Sequence, residues 1–237
     1  MSAATENTAT VFFAGISTSA TVLLLYNGFI ESLCTRTLWL LKVLVLFIST
    51  WQLLSTLVSI HFWQFFGRAN DISNTRPKVD KDNKREFQVS SLYKLLMVYA
   101  VGTVLIYTVT VLFGAPLLNK QEETILFSLL LASCAILPGC CIFTTNWNRW
   151  LSVLTKSSLD QSVLEKSSGR VSVCTLIGAW LGAFPIPLDW DRPWQVWPIS
   201  CVIGALVGYA MGNGVTTIQL CWQMLRARRK NSRMKLP

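Results

Sequence analysis

Six times along this chain an apolar run long enough to cross a bilayer is set off by short polar segments. A crossing helix needs about 20 mostly apolar residues. The expected spans lie at 11–30, 38–60, 92–113, 124–143, 171–188 and 197–221. The pattern predicts an all-α fold: a polytopic membrane protein with six transmembrane helices, forming one integral membrane domain over 1–237. Charged residues make up 14% of the chain, against about a quarter in soluble proteins, so there is no room for a separate soluble domain. Gly15, Asn27 and many hydroxyls weaken the first run. No positively charged segment precedes it, so it is expected to stay as a span and not to leave as a signal peptide. Lys42 lies near one end of the second run, where it can snorkel to the headgroups. Pro138 predicts a kink or an early end in the fourth.

Lysine and arginine set the orientation. The segment 68–88 holds Arg68, Arg76, Lys78, Lys81, Lys84 and Arg85; the segment 144–170 holds Arg149, Lys156, Lys166 and Arg170. The tail, 222–237, holds Arg226, Arg228, Arg229, Lys230, Arg233 and Lys235. The other connections offer little beyond Arg36, Lys120 and Arg192. Positive residues mark the cytoplasmic side. With six spans, the basic loop 68–88, the basic tail and both termini are cytosolic, and the Trp/Pro-rich loop 184–198 faces the lumen or exterior. Five spans would break this alternation. The loop 68–88 reads as a solvated topology signal, with an anionic-lipid patch as the alternative. Nucleic-acid binding is excluded, because these basic residues have no folded soluble platform. Lys235 and Arg233 loosely resemble a basic retrieval signal, but the positive-inside tail alone already accounts for them.

Gly178 and Gly182 stand four apart, as do Gly204, Gly208 and Gly212, and Ala179 with Ala183 follows the same rule. Four-apart positions share a helix face. Small residues there let two backbones approach closely in lipid. The two stripes either pack the fifth and sixth helices together or receive a helix from a partner protein. The seven cysteines form no CxxC and no metal-ligand spacing, and read as small packing residues.

Catalytic equipment is sparse. The one histidine, His61, has no second histidine to complete a metal site and no carboxylate beside it in sequence. The central parts of the spans carry no ionisable residue, which argues against ion-coupled transport. No nucleophile elbow, P-loop or dinucleotide fingerprint appears, and no cofactor or metal is expected. One constellation is left: Asp189, Asp191 and Arg192 among Trp190, Trp194 and Trp197, in a backbone stiffened by Pro185, Pro187, Pro193 and Pro198. Three roles fit it. The tryptophans can belong to the interfacial belt, the loop can be a docking surface anchored by Trp and Arg, or the carboxylates and rings can hold an ammonium head group.

The runs Gly178-Ala-Trp-Leu-Gly-Ala183, Pro185-Ile-Pro-Leu-Asp-Trp190 and Arg192-Pro-Trp-Gln-Val-Trp-Pro-Ile-Ser200 closely resemble the phosphatidylinositol-glycan biosynthesis class F family. A second match is Phe113-Gly-Ala-Pro-Leu117, centred on Gly114, Ala115 and Pro116, with Glu123-Thr124 and Leu126-Phe127 after it. Together they cover the C-terminal half; the N-terminal half matches only in hydropathy and in its polar basic loop. Asp191 stands where a glutamate also occurs in the family. The resemblance implies a multi-pass protein of the endoplasmic reticulum membrane, acting in glycosylphosphatidylinositol (GPI)-anchor assembly. It implies a non-catalytic subunit that stabilises the class O and class G ethanolamine phosphate transferases, its partners, which place phosphoethanolamine on the anchor's mannoses. Two alternatives to that expectation are a membrane enzyme acting on a lipid head group through Asp189 and Asp191, and a lipid flippase or transporter.

Overall fold

The computed structural model describes residues 14–21, 32, 34–70, 81–116, 118–143, 163–188 and 191–233. Of these, 55–70, 81–92, 141–143, 163–165, 227–228 and 230–233 are described as backbone alone. The helices are α1 (Thr37–Asn70), α2 (Lys81–Leu112), α3 (Gln121–Ala135), α4 (Leu137–Phe143), α5 (Val163–Ala183) and α6 (Ile199–Arg233), with a 3-10 turn at Pro193–Gln195. A further helical stretch occupies 14–21, the described part of the expected first span. No strand occurs among the described residues.

Three of these helices carry stretches long and apolar enough to cross a membrane: Thr37–Leu54, Tyr93–Leu112 and Ile199–Arg226. Of the other expected spans, the first lies mostly outside the described residues, and the fourth and fifth depart from that standard for visible reasons. The fourth is divided at Ile136, between α3 and α4, two residues before Pro138. Proline lacks the N–H that would continue the helical ladder. Across the break the Ser172 hydroxyl of α5 donates to the Ala135 carbonyl. The fifth begins with Glu165, Lys166 and Arg170 on the same helix, and it ends at Ala183, short of the expected 188, because Pro185 and Pro187 follow.

The basic connector differs from the expected loop. α1 continues to Asn70 and α2 begins at Lys81, so the described parts of 68–88 are helical. The tail is also helical, to Arg233. With 34 residues, α1 is about 51 Å long, against a hydrocarbon core of about 30 Å. Its polar end therefore has length to spare beyond an apolar layer. Residues 144–162, which hold Arg149 and Lys156, lie outside the described residues.

α3 is the central helix. Phe127, Leu130, Leu131 and Cys134 are buried among Leu41, Leu44 and Ile48 of α1 and Val202, Ala205, Leu206 and Tyr209 of α6. α2 lies at the periphery, with Tyr93, Met97, Val101, Val104, Leu105 and Leu112 exposed. Because apolar burial gives little drive in lipid, polar contacts matter for helix association. Ser133 of α3 joins Ser49 of α1 at 2.8 Å and Tyr99 of α2 at 2.9 Å. The Tyr209 hydroxyl donates to Gln52 Oε1 at 2.9 Å, linking α6 to α1. Trp51 Nε1 donates to Ser17 Oγ at 2.7 Å and ties the 14–21 stretch to α1.

The closest approach is between α5 and α6. A Cβ added to Gly178 would lie 2.3 Å from the Gly204 carbonyl oxygen, and one added to Gly204 would lie 2.2 Å from that of Gly178. One added to Gly182 would meet the Ser200 carbonyl at 2.4 Å, and one on Gly208 the Cys174 carbonyl at 2.2 Å. Gly212 extends the contact to Val171 Cα at 2.8 Å. Even a methyl group is excluded at these positions. Gly204, Gly208 and Gly212 of α6 are all taken up by α5, so the length of their run reflects the length of this contact. Gly204→Ala is expected to destabilise the protein by about 1–3 kcal/mol through overpacking. Gly214→Ala adds a Cβ only 3.5 Å from Thr18 Cγ2; it should stay near wild type or gain up to about 1 kcal/mol. Thermal melting of the purified protein in detergent checks that order.

Candidate functional site

Successive turns follow the end of α5. Phe184 N donates to Leu181 O at 3.2 Å, Ile186 N to Ala183 O at 3.1 Å and Leu188 N to Pro185 O at 3.1 Å. Asp189 and Trp190 lie outside the described residues. Asp191 then takes φ 44°. Among non-glycine residues, Asp and Asn are favoured in this left-handed region, because their short polar side chains bond locally. Arg192 caps the 3-10 turn, with Pro193 in its first position, where the missing N–H costs nothing. The peptide bond between Trp197 and Pro198 is cis, and α6 starts at the next residue.

Gln195 closes this loop. Its side chain is buried. Nε2 donates to Pro185 O at 2.9 Å and to Leu188 O at 2.7 Å, while Oε1 accepts from Arg192 N at 2.9 Å. One amide thus joins both limbs of the loop and satisfies three backbone groups. The sequence reading gave Gln195 no role. The available signal was the proline content around it: prolines leave carbonyls without ladder partners, and an uncharged side chain able both to donate and to accept is suited to them.

The loop is also fixed to the start of α3. Trp197 Nε1 donates to Thr124 Oγ1 at 3.1 Å, and Lys120 Nζ donates to the Trp197 carbonyl at 3.3 Å. The Phe127 and Trp197 rings meet edge to face, with centroids 5.3 Å apart and an interplanar angle of 71°. Thr124, fully buried, has its hydroxyl 3.2 Å from Pro116 O and 3.0 Å from Lys120 O. Pro116 belongs to the turn that leaves α2. There Gly114 N donates to Val111 O at 2.9 Å and Ala115 N to Thr110 O at 3.1 Å. This is a Schellman cap, with Gly114 at φ 97°. Nothing lies within 4 Å of a Cβ added to Gly114, so its conformation, and not lack of space, calls for glycine there. The two sequence motifs therefore meet in space, with Trp197 and Thr124 at the junction.

The charged members stand apart from that junction. Asp191, Arg192, Pro193 and Pro187 are exposed. Pro185 and Trp194 are half-buried, and Pro198 is buried. A salt bridge on the same rim, Lys42 to Glu122 at 3.7 Å, joins the starts of α1 and α3 and is itself exposed; such pairs contribute little. Among the described residues no group of three His, Cys, Asp or Glu is placed to share a metal ion.

The family model that matches residues 10–217 is that of the GPI biosynthesis protein family Pig-F. The chain belongs to this family. Among similar curated proteins, the mouse "GPI ethanolamine phosphate transferase, stabilizing subunit" is 36% identical over 158 residues, covering 66% of this chain and 72% of that protein. The human protein of the same name is 35% identical over 152 residues, covering 64% and 69%. The "Glycosylphosphatidylinositol anchor biosynthesis protein 11" of Yarrowia lipolytica is 40% identical over 111 residues, covering 46% and 47%. No solved structure matches.

In this Pig-F family chain the junction is a packed knot, and its loss should be measurable as stability. Gln195→Leu leaves the Leu188 carbonyl and the Arg192 N–H without their partner and takes one of two donors from the Pro185 carbonyl; each unsatisfied buried group costs about 1–3 kcal/mol. Trp197→Phe keeps the edge-to-face ring and loses only the bond to Thr124, a loss of about 1 kcal/mol. Trp197→Ala removes the ring as well, at about 3–5 kcal/mol. Melting of the three variants in detergent should follow the order Trp197→Phe, Gln195→Leu, Trp197→Ala, the last least stable.

Proposed function

We propose that this chain is a non-catalytic stabilising subunit of the class O and class G ethanolamine phosphate transferases in GPI-anchor biosynthesis. The names of the mouse and human relatives support the role. The observation that carries it is the construction of the Trp/Pro-rich loop. The polar groups that hold it, Gln195, the Trp197 indole and Thr124 of α3, are spent on one another and on the backbone. Such a loop holds a shape. It presents Arg192, Asp191 and Pro187 outward on a rigid base, which lowers the ordering cost of binding another protein.

In this reading the chain is a multi-pass protein of the endoplasmic reticulum membrane, with six spans and both termini cytosolic. The lysine and arginine distribution supports that orientation, and it directs the 184–198 loop to the lumen. Pairing along the helices is consistent with alternation. α1, α3 and α6 begin on the rim where Lys42 meets Glu122 and Trp197 meets Thr124, while α2 and α5 end there.

Transferase abundance and transferase product separate this role from its rivals. In cells lacking the endogenous subunit, Gln195→Leu is expected to lower transferase abundance and phosphoethanolamine-modified anchor in proportion. Asp189→Ala with Asp191→Ala tests the alternative. Lost product at normal transferase abundance would favour a catalytic or lipid-handling part for those carboxylates and overturn the stabilising role.

A further inference from the structure

The end of the α5–α6 pair opposite the Trp197 rim is strongly basic. α6 carries five basic residues from Arg226 to Arg233 and no carboxylate, and the start of α5 carries Glu165 against Lys166 and Arg170. The apolar stretch of α6 runs from Ile199 to Arg226, and the helix continues without a break to Arg233. These charges therefore leave the apolar layer on a helical extension of the span itself.

Helix rise fixes their depth. With the start of α6 at the edge of the hydrocarbon core, Thr216 lies seventeen steps on, about 26 Å, and Trp222 twenty-three steps on, about 35 Å. The core is about 30 Å thick, and each headgroup layer adds roughly 5–7 Å. Thr216 is thus just inside the far edge of the core. Trp222, exposed, is in the headgroup layer, where tryptophans collect. Side chains on a helix tilt toward its N-terminus. α5 and α6 run in opposite directions, so their arginines approach this layer from opposite sides. Arg170 of α5, half-buried, reaches outward from the core. Gly212 is the residue opposite Val171, yet Arg170 Nη1 donates to Thr216 Oγ1, one turn further out, at 3.1 Å. Arg226 of α6, exposed, folds back from the water: its Cζ lies 5.2 Å from the centroid of the Trp222 ring, one turn nearer the core. Arg229, also exposed, stands three residues on, on the same face.

A guanidinium has five N–H donors in a fork that matches a phosphate, and Thr216 accounts for one of those of Arg170. Among the described residues the one ion pair, Lys42 with Glu122, belongs to the Trp197 rim. A layer of phosphates lies at the depth where Arg170 and Arg226 converge. Its field acts over about a Debye length, roughly 8 Å at physiological salt, and the extension keeps Arg226 and Arg229 within that reach. Because basic residues outnumber carboxylates here, a headgroup of net negative charge is preferred over a zwitterionic one. We infer that this end of the α5–α6 pair binds anionic phospholipid. Arg170 donates to a headgroup phosphate from the core side, and Arg226 and Arg229 hold the negative headgroups from the aqueous side. The inference rests on α5 and α6 crossing the bilayer, and it does not depend on which transferase is the partner.

The test uses the full chain with its co-expressed transferase in phosphatidylcholine nanodiscs. They are doped with phosphatidylserine or, separately, with phosphatidylcholine, each carrying a diazirine near the glycerol end of one acyl chain. After irradiation, labelled peptides are mapped by mass spectrometry. Around Trp222 to Arg229 the phosphatidylserine probe should label several-fold more than the phosphatidylcholine probe. At Phe184 and Leu188, exposed at the Trp197 rim, the two should label alike. Each basic residue close to an anionic surface favours association by about five-fold. Arg226→Gln with Arg229→Gln should therefore bring the ratio around Trp222 close to one at unchanged melting, and Arg226→Lys with Arg229→Lys should keep it. Arg170→Gln should lower the ratio on the α5 segment 166–170. Equal labelling by the two probes around Trp222, or a ratio that survives the paired Gln variant in a protein of unchanged melting, would overturn the site. So would a ratio present in the isolated chain and lost in the complex, which would make an acidic segment of the transferase the occupant. Absence of label from both probes at both ends would overturn the membrane placement, and the site with it.

Discussion

Two helix backbones touch at Gly178 and Gly204, and the position of nearly everything on the rim depends on that contact. Because neither position has room for a methyl group, α5 and α6 lie closer than ordinary side chains would permit. Helices this close must be joined by a connection that reverses direction over a short distance. The turns after Ala183, the left-handed Asp191 and the 3-10 turn at Pro193–Gln195 perform the reversal. The carbonyls they free have no helical partners, and Gln195 supplies them. The start of α6 is thereby fixed, and with it the height at which Trp197 meets Thr124.

The same contact explains why so few charges take part. Close approach of two helices in lipid is driven by packing and a few hydrogen bonds. The described interior follows that rule, with Ser133 between Ser49 and Tyr99 and with Tyr209 on Gln52. On the rim, the Asp191 backbone has a clearer purpose than its charge: it occupies a conformation in which most side chains are strained. The loop thus separates two tasks. Neutral donors and acceptors hold it, and exposed charged residues are left free to meet something else.

Much of this was legible in the sequence because it is periodic. The helical class follows from the apolar runs, and the glycine spacing marks a close contact. What periodicity could not supply was the identity of the opposing face. A stripe of three glycines suits a partner's helix as well as it suits α5, and only the geometry assigns it. Gln195 was missed because its value is combinatorial. A single amide gains importance only when carbonyls ten and seven residues away turn toward it. The Trp197–Thr124 bond spans 73 positions, and no local pattern encodes it. The helical ends of α1 and α2 were read as loop because polar residues mark departure from an apolar layer, which is not the same as departure from helix.

The junction at Thr124 also carries a consequence for synthesis. Its two halves are made at different times: the Gly114–Phe127 turn and helix start leave the ribosome long before Trp197 does. Until then Phe127 lacks the indole edge and Lys120 the carbonyl it will bind. The rim is therefore complete only when α6 has followed its loop into place. A chain stopped before Trp197 presents no finished surface, so a partner that binds this rim selects for subunits that carry the α5–α6 loop.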